Sequence, residues 1–477
     1  MISIDIFNDR IVVENPWWRS NQINEEYRSV RPRRLLDEIY AQVTDWTLRR
    51  ALILLGPRRV GKTWLMQHLI GRLLAESVVP AKQIIFISID VPVYHGAGLE
   101  ELVRRAAEVS GADMKRDRLV VLFDEIQYLK DWELHLKTLA DAYPGIRFIA
   151  SGSAATVLAR GSMESGAGRF TDVKLGPLSF AEFLEISGES DAVGEDAMAL
   201  SDGELVVPSV ASMERINKQF LDYVNFGGYP ELVVNHVVKS NPIQFIQRDI
   251  VDKVLLRDLP SLYHIDDVRE LQSFFSYLAF HSGMVQSWET LSQGSGLKKQ
   301  QITSFVRYLE EAFLITKHDR VDISAASLQR ATQFKLYLTN PSLRASMFQP
   351  VVRDDDPYLG YAVETTISAQ FGIGEQRAAW RYANWKIGRA QGEVDFVRIH
   401  PGTQCPDAAL EVKWSDGPFD HPAELKEAVN FCERNGLARL YVTTRTQKGV
   451  KRSGSVELVY VPSALFALAL NGGRVFK

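Results

Sequence analysis

The chain has 477 residues, of which 46% are hydrophobic and 24% are charged, and its net charge is −4. This length predicts about three domains of ordinary size, and the composition is typical of a globular protein with an ample core. The slightly acidic charge excludes a uniformly basic nucleic-acid binder, so any DNA-binding surface must be local.

The cysteines and the hydropathy pattern bear on the compartment. Cys405 and Cys432 form neither a disulfide framework nor a metal-binding spacing, which favours a reducing cytoplasm. The first residues lack the basic start and apolar core of a signal peptide. No apolar run approaches the roughly 18 residues that a membrane-spanning helix needs. We therefore expect a cytoplasmic protein with no membrane partner.

Residues 1–30 are predicted to form an N-terminal arm with strand-like pieces. The arm contains two adjacent tryptophans, Trp17 and Trp18. They could form an exposed contact surface, but packing of the two rings onto the body of the protein is the favoured interpretation. A helical pattern that begins at Arg33 then leads into the next strand.

An apolar run at residues 51–55 ends in a glycine-bounded loop and is followed by a helical pattern. This strand, loop and helix context turns the loose pattern GxxxxGK[ST] into a P-loop. Backbone N–H groups of such a loop surround phosphate oxygens, the lysine reaches the β- and γ-phosphates, and the threonine hydroxyl holds Mg²⁺. A chance match on a glycine-rich turn is the alternative. The predicted ATP-binding residues are Gly56, Pro57, Arg58, Arg59, Val60, Gly61, Lys62 and Thr63.

A second apolar strand, residues 119–123, ends in the two acids Asp124 and Glu125. At the carboxyl end of a parallel strand Asp124 would lie beside the phosphates, where it can hold Mg²⁺ or a water bound to it. Glu125 is placed to act as the general base that polarises the attacking water. A strand with two solvated acids at its end is the alternative, which the preceding P-loop disfavours.

Two further positions are candidates for the same site. The strand at residues 147–150 leads to Ser151 and Ser153, and one of them could bind the γ-phosphate or the attacking water as a sensor. A strand followed by a Gly-Ser turn is the alternative. Arg169 could act as an arginine finger toward the nucleotide of a neighbouring subunit, which requires a homo-oligomer. A surface arginine is the competing interpretation.

The order of the elements predicts the fold. Strands and helices alternate as far as the Arg169 segment, which is typical of an α/β domain with a doubly wound parallel sheet. Residues 188–212 are polar and acidic and are predicted to form a loop or an insertion. A turn at residues 226–231 is predicted to lie inside a helical lid.

From residue 241 onward helical patterns dominate. Three helices followed by two strands, ending near residue 339, predict a winged helix. The third helix begins with two lysines and two glutamines at residues 298–301, which are the side-chain types that reach phosphates and base edges. The same helix carries Glu310 and Glu311, however, and winged helices also serve as spacers and protein contacts. Whether this helix contacts DNA stays open.

The last part of the chain carries a second set of charged residues. Glu364 lies in a helical pattern, Asp395 lies in a strand at residues 392–397, and Glu411 and Lys413 share one face of the next strand. Carboxylates can hold Mg²⁺ or Mn²⁺, which polarises a phosphate and lowers the pKa of a water, while a lysine stabilises the attacking hydroxide. The set predicts metal-dependent phosphodiester cleavage, with Asp395 and Glu411 as metal ligands. Solvated charges on strand edges are the alternative.

The chain resembles a large prokaryotic family of AAA+-related P-loop ATPases, close to the archaeal ATPases. This resemblance rests on residues 56–63, 122–127, 167–170, 177–183 and 227–231. It implies ATP hydrolysis.

The C-terminal part is similar to PD-(D/E)XK nucleases through Glu393-Val394-Asp395-Phe396 and Glu411-Val412-Lys413. The segment Gly392–Asp395 looks like the active-site strand of archaeal Holliday junction resolvases. This similarity implies an α/β fold like that of restriction endonucleases.

Four segments follow from these patterns: an arm (1–30), an AAA+-type ATPase with a helical lid (31–240), a winged helix (241–345) and a nuclease-like domain (346–477). The predicted function is a Mg²⁺-dependent ATPase coupled to a nuclease that acts on branched or foreign DNA, in repair, recombination or defence. The alternative is a signalling ATPase whose C-terminal domain binds nucleic acid or protein without cleaving it.

Overall fold

The computed structural model describes residues 4–153, 168–189, 193–201, 203–325, 332–352, 356–372, 379–387 and 390–471. Within these stretches no helix combines the length and the apolar character that crossing a membrane requires. The chain divides into two compact units, residues 1–176 and residues 177–477.

The first unit contains a five-stranded sheet with helices between its strands. Its helices are α1 (Ile4–Glu14), α2 (Trp17–Ser20), α3 (Glu25–Arg28), α4 (Leu36–Thr44), α5 (Lys62–Ala75), α6 (Leu99–Ser110) and α7 (Trp132–Ala142). Its strands are β1 (Ala51–Leu55), β2 (Ile84–Ser88), β3 (Leu119–Asp124), β4 (Ile146–Gly152) and β5 (Phe170–Lys174). Strands β1, β3 and β4 are buried along their whole length, as the apolar runs predict for strands covered on both faces.

All strands of this sheet are parallel, in the order β2-β3-β4-β1-β5. The order places β4 between the P-loop strand β1 and the acid-bearing strand β3. Because parallel strands end at the same edge of a sheet, the loops after β1, β3 and β4 are neighbours in space.

The N-terminal arm differs from the prediction, because the part of it that the structure describes forms helices α1 to α3 instead of strand-like pieces. The two tryptophans pack onto the body of the unit as predicted. Trp17 is 1% exposed. The indole N–H groups of Trp17 and Trp18 both donate to the carbonyl oxygen of Ile84, at 3.0 and 2.8 Å.

The second unit begins with a helix, a hairpin and a series of short helices. The helices are α8 (Phe180–Ser187), α9 (Met213–Phe226), α10 (Pro230–Val234), α11 (His236–Lys239), α12 (Pro242–Phe245) and α13 (Leu259–Tyr263), with π-helical turns at Ile246–Asp252 and Val254–Asp258. The hairpin strands are β6 (Val193–Leu200) and β7 (Gly203–Val210). Over the described part of residues 188–212 this hairpin contradicts the predicted loop, and the alternative of an insertion stays a prediction.

The remaining elements of this unit build around one large sheet. The helices are α14 (Val268–Phe280), α15 (Trp288–Ser295), α16 (Lys299–Glu311), α17 (Ser342–Met347), α18 (Leu359–Gln370), α19 (Gly417–Asp420), α20 (Lys426–Arg434) and α21 (Ser463–Asn471). The strands are β8 (Val285–Ser287), β9 (Ile315–Val321), β10 (Gln333–Leu338), β11 (Trp380–Ile387), β12 (Ala390–Ile399), β13 (Pro406–Glu411), β14 (Arg439–Thr444), β15 (Gly449–Ser453) and β16 (Val456–Pro462).

The sheet of nine described strands has the order β15-β16-β14-β13-β12-β11-β9-β10-β8. Strand β10 pairs antiparallel with both β8 and β9, next to helices α14, α15 and α16. This arrangement contains the helices and the two strands of the predicted winged helix. Strand β9 also pairs with β11, however, so these strands continue into the C-terminal sheet. The winged helix and the four domain boundaries stay predictions.

Candidate functional site

The predicted P-loop connects β1 to α5. Gly61 precedes the helix with φ +89°, a left-handed conformation that glycine adopts without strain. Gly56 has a different requirement, because a Cβ atom there would lie 2.1 Å from the carbonyl oxygen of Leu175. The Lys62 ammonium group donates to the carbonyl oxygens of Gly56 (3.1 Å) and Pro57 (3.0 Å), and Lys62 is 5% exposed. The lysine thus lies against its own loop, and its contact with the β- and γ-phosphates stays a prediction.

A hydrogen-bond network joins the P-loop to the acid-bearing strand. The Thr63 hydroxyl donates to Asp124 Oδ2 at 2.7 Å, and the Ser151 hydroxyl donates to Asp124 Oδ1. The backbone N–H of Glu125 in turn donates to Ser151 Oγ at 3.0 Å. Ser151 can reach both acids because β4 lies between β1 and β3, with Leu54 beside Ser151 in the β1–β4 register. Of the two serines considered as sensors, Ser151 makes these contacts.

Asp124 is buried at the end of β3, with 4% of its surface exposed. Burial raises the pKa of Asp124 to about 6, and the neighbouring Glu125 carboxylate adds to the shift, while hydrogen bonds from Ser151 and Thr63 and the charge of Lys62 oppose it. Glu125 has φ +52°, a conformation that is uncommon for a residue other than glycine. Such backbone strain occurs most often at functional sites.

Replacing Asp124 with asparagine should stabilise the nucleotide-free protein at neutral pH. The folded-state pKa lies above the ordinary value of 3.8, so the folded protein holds the proton more tightly and loses stability as the pH rises from about 4 to about 6. The neutral asparagine does not cause this loss of stability. The Thr63 and Ser151 hydroxyls can rotate to form hydrogen bonds with its amide group. We expect a gain of roughly 2–3 kcal/mol at pH 7.5, vanishing near pH 4.

Urea unfolding of Asp124→Asn at several pH values measures this gain. The matched control is Asp9→Asn, since Asp9 is exposed on α1. A variant less stable than the wild type at pH 7.5 would contradict the expected cost of burying this carboxylate.

The P-loop residues fit a magnesium ion. Thr63 Oγ1 and Asp124 Oδ2 face each other at 2.7 Å at the N-terminus of α5. Hydroxyl and carboxylate oxygens are the ligands that Mg²⁺ prefers, together with phosphate oxygens. The two side chains thus lie together, and their role as magnesium ligands stays a prediction.

Arg169 lies away from this network. It precedes β5, and its carbonyl oxygen accepts a hydrogen bond from Ala51 N, at the start of β1. Its Nε lies 2.7 Å from Asp141 Oδ1, and both side chains are nearly half exposed. Because the P-loop follows the opposite end of β1, Arg169 is not brought to the nucleotide site of its own chain. Its role toward a neighbouring subunit stays a prediction, and residues 166–167 before it lie outside the described residues.

The second predicted set comes together in the second unit. Strands β12 and β13 pair antiparallel with Phe396 beside Leu410, which brings Asp395 and Glu411 into adjacent positions of the ladder. Asp395 Oδ2 accepts a hydrogen bond from the backbone N–H of Val412 at 2.9 Å. Lys413 Nζ lies 2.7 Å from Glu411 Oε2 and 3.4 Å from Asp395 Oδ2.

Lys335 on β10 also belongs to this set, although it was not among the predicted site residues. Its Nζ lies 2.8 Å from Glu364 Oε1, 2.7 Å from Glu393 Oε1 and 3.5 Å from Asp395 Oδ1. A lysine in the apolar strand Phe334–Leu338 is the sequence signal that could have revealed it. We call the six residues the carboxylate–lysine cluster; its members are Lys335, Glu364, Glu393, Asp395, Glu411 and Lys413.

The cluster shifts the proton affinities of its members. Burial, together with the nearby Asp395, raises the pKa of Glu411 to about 8. Burial would raise the pKa of Asp395 as well, but the charges of Lys413 and Lys335 outweigh it and lower that pKa. Burial would lower the pKa of Lys335, but its carboxylate neighbours, Glu364 first among them, hold that pKa well above the ordinary value. Burial would likewise lower the pKa of Lys413, but Asp395 and Glu411 raise it, so both lysines of the cluster are charged at neutral pH.

The cluster in this conformation does not fit a divalent metal ion. Its carboxylate oxygens are suitable donors for Mg²⁺ or Mn²⁺. Lys335 and Lys413 already engage these oxygens, however, and among the described residues no three acidic, histidine or cysteine side chains are arranged to hold a metal ion. The predicted roles of Asp395 and Glu411 as metal ligands stay predictions.

The predicted DNA-contacting residues lie at the start of α16. Lys298, Lys299 and Gln300 are exposed, while the face of the helix that carries Ile302 is buried. Lys299 Nζ lies 2.8 Å from Glu289 Oε1, and both of these side chains are more than half exposed. The helix thus presents polar side chains to solvent, and contact with DNA stays open.

Comparisons with known proteins identify part of the chain. Residues 48–184 match the family model of an AAA domain, and residues 217–352 match the model of a domain of unknown function (DUF8612). An uncharacterized protein of Haemophilus influenzae is 22% identical over 303 residues, covering 61% of this chain and 68% of that protein. An uncharacterized protein of Methanocaldococcus jannaschii is 23% identical over 363 residues, covering 74% of this chain and 73% of that protein.

Among solved structures, Cdc6p from Pyrobaculum aerophilum is 11% identical and has a TM-score of 0.29, with 70% of this chain and 96% of that chain covered. This TM-score is too low to support an argument about fold or function. The family match, together with the P-loop and the parallel sheet, shows that the chain contains a nucleotide-binding AAA-type domain at residues 48–184.

Proposed function

We propose that the first unit hydrolyses ATP with Mg²⁺. The observation that carries this proposal is the contact between Thr63 and Asp124 at 2.7 Å, which joins the P-loop to the acid-bearing strand. A P-loop that only bound phosphate would not need a buried acid beside its threonine. The AAA-type domain that residues 48–184 match is consistent with this chemistry.

The chain's own residues supply most of the required functions. Lys62 lies at the loop that receives the phosphates, where its charge can stabilise the charge that develops on them. Glu125 follows the buried acid and can orient the attacking water, and Ser151 fixes the Glu125 backbone. Thr63 and Asp124 would hold Mg²⁺, which would supply positive charge to neutralise the phosphates.

ATP turnover by the full chain tests this proposal. It should require a divalent cation and stop when EDTA removes that ion. The variant Lys62→Ala provides the decisive comparison. Turnover that persisted in EDTA would reject the Mg²⁺-dependent mechanism.

A second candidate function is cleavage of DNA by the second unit. The observation that favours it is the convergence of Glu364, Asp395, Glu411 and Lys413. The chain contributes them from helix α18, strands β12 and β13, and the segment just after β13, because that strand ends at Glu411 and does not extend to Lys413 as predicted. In the conformation described here the cluster is closed by Lys335, so cleavage would require Lys335 to leave the carboxylates. ATP hydrolysis in the first unit could control that change, on branched or foreign DNA in repair, recombination or defence.

DNA incubated with the full chain, Mg²⁺ or Mn²⁺, and ATP should be cut if this candidate is correct, and Asp395→Ala should abolish the cutting. The reason is that Asp395 bridges both lysines and binds the Val412 N–H, so no neighbour can replace it. Gel analysis of linear, nicked and branched DNA measures the cleavage. The matched control is Asp407→Ala, because Asp407 lies on the adjacent strand and pairs with Arg398 outside the cluster.

Cleavage that survived in Asp395→Ala would remove the assignment of this cluster. If the wild type cut no DNA under any of these conditions, the alternative function would gain support. In this alternative the ATPase is a switch, and the C-terminal part of the chain binds nucleic acid or protein without cutting it. A cytoplasmic location and a homo-oligomer that uses Arg169 in trans belong to both versions.

A further inference from the structure

The ammonium group of Lys335 is surrounded by carboxylate oxygens. Glu364, Glu393 and Asp395 each place an oxygen 2.7 to 3.5 Å from Lys335 Nζ. The side chain of Lys335 is only 3% exposed, so water contributes little to its solvation. A buried charge of this kind persists only when its neighbours compensate it.

Lys413 compensates the negative charge on the other side of the cluster. Its Nζ lies 2.7 Å from Glu411 Oε2, and Asp395 uses Oδ1 toward Lys335 and Oδ2 toward Lys413. Asp395 thus bridges two ammonium groups. Its oxygens, which a divalent cation would need, already face positive charge.

The geometry points to Lys335 as a resident cation that keeps divalent metal ions out of the carboxylate–lysine cluster. A doubly charged ion placed among Glu364, Glu393 and Asp395 would lie within a few ångströms of the lysine ammonium, where the repulsion between like charges is strong. The ion could enter only after Lys335 withdrew. The inference rests on the second candidate function for its biological meaning.

Binding of Mn²⁺ to the full chain tests this inference without any catalytic readout. We expect Lys335→Met to bind one more Mn²⁺ per chain than the wild type does. This added site should bind Mn²⁺ at least tenfold more tightly than the cluster of the wild type does. Isothermal titration calorimetry or the electron paramagnetic resonance of free Mn²⁺ measures the stoichiometry. Because the P-loop is unchanged in both proteins, the difference between them reports on the cluster alone.

Three further variants define the source of the new site. Lys335→Arg keeps the positive charge and should bind no additional Mn²⁺. Adding Asp395→Asn to Lys335→Met should remove the gained site, because Asp395 would be one of its ligands. Lys317→Met removes a lysine on the neighbouring strand β9 that pairs with Asp319 outside the cluster, and it should bind Mn²⁺ as the wild type does.

The thermal midpoint provides a second readout. Mn²⁺ should raise the midpoint of Lys335→Met by more than it raises that of the wild type, because the ion would replace the lost ammonium charge. If Lys335→Met failed to fold, a comparison of Mn²⁺ binding by Lys335→Gln and by the wild type would still test the inference. A Mn²⁺ bound by the wild type and lost in Asp395→Asn would overturn the inference, as would a Lys335 variant that folds and gains no site.

The outcomes separate this inference from the proposed nuclease. Mn²⁺ gained in Lys335→Met without DNA cleavage by any variant would support the resident cation and reject the nuclease. DNA cleavage by a wild type that binds Mn²⁺ as tightly as Lys335→Met would support the nuclease and reject the resident cation.

Discussion

Lys62→Ala should lower ATP turnover by at least about 100-fold, which is the loss typical of removing one group that stabilises transition-state charge. In the structure the Lys62 ammonium lies buried against the P-loop, in contact with the carbonyl oxygens of Gly56 and Pro57. Alanine would leave the phosphates without this cation while the loop keeps its glycines. Phosphate release at saturating ATP measures turnover, and calorimetry measures the affinity for the nucleotide.

The matched control for this prediction is Lys82→Ala. Lys82 is an exposed lysine of the same unit, in the short turn Ala81–Gln83 before β2. Its loss should leave turnover within about twofold of the wild type, since exposed charges that make no specific contact contribute little. If Lys62→Ala retained turnover similar to this control, the loop would not be the catalytic phosphate site.

The nucleotide site could be predicted from the sequence because its signals are local. The strand β1, the loop and α5 are contiguous, and Asp124 ends β3 with Glu125 directly after it. The role of Ser151 depends on β4 lying between β1 and β3, which is a property of strand order. Strand order is decided by packing between distant segments, and a pattern in one segment does not contain it.

The carboxylate–lysine cluster was predicted only in part for the same reason. Asp395 and Glu411 lie on strands that are adjacent in both sequence and sheet, so their convergence could be expected. Lys335 lies on β10, 60 residues before Asp395, and its side chain meets the acids only in the folded unit. Its local pattern favoured a strand of a winged helix, which gave no reason to place it among the acids.

The helices of the arm and the hairpin β6–β7 show a different limit. Helix α2 has only four residues, which is too short for a helical period to appear in the sequence. Its position is stabilised by tertiary contacts, such as the bond from Trp17 to Ile84. Strand β6 carries acidic residues and is largely exposed, so its composition was typical of a loop, whereas β7 buries Leu205 and Val207.

Removing Lys335 should destabilise the second unit by about 3–5 kcal/mol at neutral pH, because Glu364, Glu393 and Asp395 would lose the buried cation that they surround. We expect this loss for Lys335→Met and a smaller one for Glu364→Gln, because Glu393 and Asp395 would still compensate the charge of Lys335. The double variant should lose less than the sum of the two, with a coupling energy of roughly 1–3 kcal/mol. Urea unfolding of the four proteins measures the cycle.

A second cycle on an exposed pair gives the reference for this coupling. Lys299 and Glu289 lie 2.8 Å apart, and both side chains are about 60% exposed. Their coupling should stay below about 1 kcal/mol and fall further in salt. The loss in Lys335→Met should also shrink as the pH is lowered, because burial already raises the pKa of Glu364 and this acid can take up a proton when its partner is gone. A buried pair that coupled no more strongly than the exposed pair would show that Lys335 does not compensate the cluster.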